Sequence, residues 1–140
     1  MEYAAKVTRE GRYWLAEFPD CPGAQTFASS RAELAEMARE ALEAWLMAEL
    51  AARRVPPRHK VRRGAAYLRV PIAPLLAAKI ALRQARDAAG LSQAELARRL
   101  GISQQAVAKL EDPDRNVELG TLERVAEALG YAVALDLVPT

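Results

Sequence analysis

The chain has 140 residues, is 51% hydrophobic and 27% charged, and carries a formal net charge of +2. That is the composition of one soluble globular domain or two small ones, and with 6% aromatic residues any core must rest on Ala, Leu and Val. No apolar run approaches the roughly 18 residues of a membrane span, MEYAAKVTREGRYW lacks the basic flank and apolar stretch of a signal peptide, and one cysteine with one histidine makes neither a disulfide nor a zinc site. A cytoplasmic protein with no metal, cofactor or membrane partner is expected.

Residues 2–8, EYAAKVT, place Tyr3, Ala5 and Val7 on one side. Gly11 marks a turn, and RYWLAEF, 12–18, alternates again with Trp14, Ala16 and Phe18 on one face. Two alternating runs around a glycine turn predict a hairpin. PDCPG, 19–23, forces a further turn before a third strand, AQTFA, over 24–28. The period then changes. Ser30 and Glu33 form a capping box, with hydroxyl and carboxylate both satisfying free amides at a helix start. From Leu34 to Leu50 apolar residues recur at three- and four-residue steps, which predicts one amphipathic helix over about 31–53 packed on the sheet. Trp14 and Trp45 are expected in the core, facing each other across sheet and helix. Val55-Pro56-Pro57 stops the helix, and AAYLRVPI, 65–72, predicts a fourth strand.

The remainder is helical. Pro74 suits the first turn of a helix that Gly90 ends. Ser92 with Glu95 opens a second helix, QAELARRL, and Gly101 closes it as the left-handed residue of a tight turn. Ser103 caps QQAVAKLE. DPDRN is a loop, LGTLERVAEAL is another helix, and Tyr131, Val133, Leu135 and Leu137 alternate in an expected strand over 131–138. The fold class expected is α+β. A β-β-β-α-β domain over 1–72 precedes an all-α domain over 73–140 that ends in a strand.

Charge is unevenly placed. Residues 1–50 hold five basic against nine acidic residues, 51–90 ten against one, and 91–140 five against eight. The basic stretch ARRVPPRHKVRR reads either as a solvated linker, with His59 in water, or as a segment that touches DNA over 53–63.

Gln93 to Asp112 has the layout of a helix-turn-helix. Ala97 is small where the second helix crosses the first. Leu96, Leu100, Ile102, Val107 and Leu110 face inward, and Gln93, Gln104, Gln105 and Lys109 are left outside. The stretch LSQAELARRLGISQQAVAKLEDPDRNVELGTLERVAEALG resembles the phage-repressor (Cro or Xre) class of helix-turn-helix over about residues 75–130. That resemblance implies operator DNA as a partner. It implies that Gln93 contacts a phosphate and that Gln104, Gln105 and Lys109 reach base edges. A glutamine amide pairs with adenine N6 and N7, and lysine with guanine O6 and N7. Ser103, Arg115 and Asn116 are further phosphate candidates. The loop EDPDRN departs from the Gly-Lys or Gly-Arg pair of many relatives and sets Asp112 and Asp114 beside Arg115.

The first half resembles the HicB antitoxin domain. The marks are the hairpin, the turn FPDCPG (Phe18 to Gly23), a small polar step into a long helix, and the segment from Ala41 to Leu46. RVPIAPLLAAKIALRQA, 69–85, is similar to the family's link into a C-terminal DNA-binding domain. The resemblance implies a type II antitoxin. Its N-terminal domain is a partial ribonuclease-H-like fold that binds a HicA-type mRNA-cleaving toxin, and its helix-turn-helix represses its own promoter. A stand-alone Xre-type regulator with an N-terminal sensor domain is the alternative.

An enzyme is not expected. The expected strands carry only Glu2 and Glu17, with Asp20 in the following turn, and these do not form a converging set; Cys21 has no histidine nearby in sequence. The closing strand would expose an open edge. Pairing 131–138 with its copy would make a two-fold homodimer, able to read two half-sites about one turn of DNA apart. The alternative is packing back onto the first sheet.

Overall fold

A computed structural model describes all 140 residues, which divide into two compact units, Met1–Ala77 and Ala78–Thr140. The first unit holds β1 (Glu2–Glu10), β2 (Tyr13–Glu17), β3 (Gln25–Ala28), α1 (Arg31–Ala51) and β4 (Tyr67–Pro71). Its strands form one antiparallel sheet in the order β3-β2-β1-β4. Val7 lies opposite Ala16, and Tyr3 opposite Val70. This register sets Tyr3, Ala5, Ala16, Ala28 and Val70 on one buried face. Against it α1 packs Leu34, Ala38, Leu42, Leu46 and Leu50, a four-residue repeat that follows the helical period. Polar side chains such as Lys6 and Glu17 occupy the other face of the sheet. There Tyr13 and Phe27 meet edge to face at 5.7 Å, 46% and 60% exposed.

Three local expectations are corrected. Only half of the first capping box forms as anticipated. The Ser30 hydroxyl accepts from the Glu33 amide at 3.2 Å, but the Glu33 carboxylate takes the Ser29 hydroxyl at 2.9 Å. Trp14 does not face Trp45. It lies under the guanidinium groups of Arg9 and Arg31, 4.9 and 5.2 Å from its ring. Arg31 opens α1, and Trp45 stands about 21 Å further along that helix at 1.5 Å per residue, so the two indoles cannot meet. Trp45 instead covers the FPDCPG turn, its Nε1 being 3.8 Å from where a Cβ on Gly23 would sit. Gly23 also has φ +98°, a conformation that favours glycine. The turn closes on its own backbone, Ala24 N–H donating to the Cys21 carbonyl at 2.9 Å, and buries Cys21 completely.

The third correction concerns the basic stretch, which is packed rather than a loose linker. Pro56 is fully buried. The Tyr3 hydroxyl donates to the Pro57 carbonyl at 2.8 Å, and the His59 ring meets the Tyr3 ring edge-on at 5.6 Å. Asp20 accepts from the Lys60 amide at 2.9 Å and from Arg62 Nη2 at 3.0 Å. Residues 55–63 are therefore a strap laid over the first unit, and a buried tyrosine hydroxyl and a buried carboxylate find their partners in it.

α2 (Pro74–Ala88) begins in the first unit and leads the chain into the second, which continues with α3 (Gln93–Leu100), α4 (Gln104–Glu111) and α5 (Leu119–Ala128). The core of the second unit is Leu82, Leu96, Ala97, Val107, Leu110 and Val125, with Leu91, Leu100, Ile102, Val117, Leu122 and Leu129 packed around it. The closing strand expected at 131–138 is not formed. Residues 131–140 have no regular secondary structure, and Leu135 and Leu137 are 64% and 94% exposed. A strand exists only through a partner's hydrogen bonds, and alternation of side chains does not supply one. No helix of the chain is long and apolar enough to cross a membrane.

Candidate nucleic-acid interface

Two eight-residue helices would be marginal alone. Their ends and their buried faces hold them. The Ser92 hydroxyl accepts from the Glu95 amide at 3.1 Å and starts α3. Gly101 ends α3 at φ +67° and ψ +32°, the left-handed conformation, and the Ile102 amide reaches back to the Ala97 carbonyl at 3.1 Å. The Ser103 hydroxyl accepts from the Ala106 amide at 3.1 Å and starts α4. Ala97, Val107 and Leu110 are buried between the helices, and each full burial of a Val or Leu side chain stabilises by about 1.5–3 kcal/mol. With that face committed, Gln104, Gln105 and Lys109 are left exposed on the opposite side of α4.

A polar lock that the sequence reading missed fixes the angle of α4. Arg86 on α2 reaches Glu111 at two points, one of them Nη2 to Oε1 at 2.8 Å, and its Nη1 donates to the Leu91 carbonyl at 2.9 Å. Lys79, 1% exposed, donates from Nζ to the Leu110 carbonyl at 3.2 Å, satisfying a carbonyl that the end of α4 leaves open. Burial holds the Lys79 pKa below the ordinary lysine value, partly opposed by the Asp112 carboxylate. A signal was present in the pattern. Lys79, Leu82 and Arg86 share one stripe of α2 at helical spacing, and Glu111 shares the inner stripe of α4 with Val107. A charge on an apolar stripe implies a buried partner, though not which segment supplies it.

Gln93 differs from its expected place outside. It is half-buried, and its side-chain amide donates to Glu111 Oε1 at 2.9 Å, which ties the start of α3 to the end of α4. Ser103 uses one lone pair for the cap and keeps its hydroxyl proton for a further acceptor. In the loop after α4, Asp112 Oδ1 accepts from the Asp114 amide at 2.9 Å, and Oδ2 lies 3.8 Å from Arg115 Nε. The Asp112 carboxylate is thus turned into its own loop, while the Arg115 and Asn116 side chains are exposed. The arrangement presents two amides and an ammonium on one rigid helix, flanked by a serine hydroxyl and a loop guanidinium. That is the donor and acceptor set that reads base edges and grips phosphates.

Comparison with known proteins agrees with this geometry. A helix-turn-helix family model matches residues 82–135. Antitoxin HicB 1 of Photorhabdus laumondii is 33% identical over 91% of this chain and 80% of its own length. Antitoxin HicB 2 of the same organism is 31% identical over 96% of this chain and 95% of its own length. Antitoxin HicB of Pseudomonas fluorescens is 33% identical over 97% of this chain and 93% of its own length. The similarity runs through both units, and by it the chain belongs to the HicB antitoxin family, with a helix-turn-helix of the Xre type as its second unit.

Proposed function

We propose that this chain is the antitoxin and autorepressor of a two-gene module. The first unit binds and neutralises a HicA-type mRNA-cleaving toxin. The helix-turn-helix binds operator DNA in the module's own promoter, with Gln104, Gln105 and Lys109 on base edges and Gln93, Ser103, Arg115 and Asn116 toward phosphates. The observation that carries the reading is the exposure of Gln104, Gln105 and Lys109 on a helix locked by Glu111, in a chain whose relatives are HicB antitoxins. Gln93, held by Glu111 in the free chain, needs only one of its amide protons there and retains the other for a phosphate oxygen.

Two copies pair through residues 131–138. Tyr131, Leu135 and Leu137 of the alternating apolar set are exposed there, and pairing buries them while placing two recognition helices about one DNA turn apart. The acidic balance of residues 1–50 suits a basic, RNA-handling partner. The test is co-expression with the adjacent small open reading frame, followed by co-purification and promoter footprinting. The reading requires a stable complex, rescue of growth, and a protected site in the shared promoter. A protein that protects the promoter but neither binds nor neutralises the neighbouring product is a stand-alone regulator.

A further inference from the structure

The strap over residues 55–63 has a chemistry that neither the core nor the recognition helix uses. Residues 50–86 contain no Asp or Glu at all. Two carboxylates of the first unit meet this stretch, and both are already engaged. Glu49 takes Arg54 at 2.8 Å, and Asp20, whose side chain is 6% exposed, takes Arg62 at 3.0 Å. Arg58, Lys60 and Arg63 stand exposed, and none of the ion pairs of the fold includes them. A basic run kept only for solubility needs no fixed backbone, yet this one is tied down at Pro57 by Tyr3 and at Lys60 by Asp20. Fixing the backbone in advance lowers the entropy lost when such a segment meets a partner.

We infer that Arg58, Lys60 and Arg63 form a second, sequence-independent contact for the DNA backbone, on the first unit. The inference rests on the DNA-binding reading above. Uncompensated cations on a held segment match a polyanion, and their contribution comes from counterion release. Duplex DNA is favoured over RNA because the same chain carries a duplex-reading helix. Once that helix is bound, the strap meets phosphates at a raised effective concentration. Phosphate contacts of this kind add affinity and register but no sequence preference.

The test uses the full chain and a labelled random-sequence DNA duplex, followed by fluorescence anisotropy from about 50 to about 200 mM salt. The triple variant Arg58→Ala/Lys60→Ala/Arg63→Ala is compared with the unaltered chain. Its slope of log K against log salt becomes shallower by about 2–3, at about 0.9 per phosphate contact. Affinity falls by the same factor on any duplex, and the melting temperature does not move, since the three side chains are exposed. The charge-conserving Arg58→Lys/Lys60→Arg/Arg63→Lys variant keeps the original slope. An unchanged slope in the triple alanine variant overturns the inference and leaves the helix-turn-helix reading intact. Loss of affinity for a single-stranded RNA with an unchanged DNA slope also overturns it, in favour of an RNA surface. An unaltered chain that binds no duplex removes both readings together.

Discussion

Arg86 near the end of α2 and Glu111 at the end of α4 form a two-point ion pair, with Nη2 to Oε1 at 2.8 Å and each residue less than one-tenth exposed. Removing one partner strands the other charge in the core. Glu111→Ala is expected to cost about 3–5 kcal/mol of stability, and it also releases Gln93 and the start of α3. Replacing both together, Arg86→Met with Glu111→Leu, costs far less and can be neutral, because no unpaired charge remains. Urea unfolding of the single and double variants checks this, and equal losses in the two would show that the pair does not act as a unit.

Gln104 and Gln105 carry a different prediction, because nothing in the fold uses their side chains. Gln104→Ala with Gln105→Ala is expected to leave stability within about 0.5 kcal/mol. It is expected to lose about 1–3 kcal/mol of discrimination per base pair read, while non-specific binding persists. Promoter footprinting beside a toxin-neutralisation assay separates the two activities. Continued protection of the same site would remove these residues as readers.

The first unit should lose stability in alkali. Burial pushes the Cys21 thiol from 9.0 up to about 12, with further upward pushes from the Asp20 and Glu49 charges. Burial, with Cys21 and Asp20, also raises the Tyr3 hydroxyl above its ordinary 10.0. Both groups are neutral in the fold and titrate more readily when unfolded. Above pH 9.0 the unfolded chain therefore releases protons that the folded one keeps. Linked stability is fully present below that pH and is lost as pH rises toward about 12. Urea midpoints should fall as pH rises through this window, and the fall should be shallower in Cys21→Ala. Parallel curves for the two proteins would contradict the assignment.

Residues 131–138 are predicted to associate two chains. Leu135→Glu with Leu137→Glu puts charge on the alternating apolar face and is expected to yield monomers by sedimentation. The melting of the second unit should change little, because both side chains are exposed in the single chain. Operator affinity should drop steeply, since one half-site alone carries about half the contacts. A dimer that survives both substitutions places the interface elsewhere.

Local rules made much of this protein legible from sequence alone. Two-residue alternation marked β1 and β2, the PDCPG turn pointed to β3 after it, and the apolar repeat at three- and four-residue steps marked α1. Serine caps and Gly101 located α3 and α4, because capping is chemistry among neighbours in the chain. Once Val107 and Leu110 were inside, the outward direction of Gln104, Gln105 and Lys109 followed from helical period. Only the tertiary structure decided which distant groups meet. It bonded Gln93 to Glu111, set Arg86 and Lys79 against the end of α4, moved Trp14 beneath Arg9 and Arg31, and laid the basic segment onto Tyr3 and Asp20. The physical reason is shared by all but the exposed contact at Trp14. A buried polar group must find a partner somewhere in space, but nothing in the spacing of one segment says which other segment will bring it.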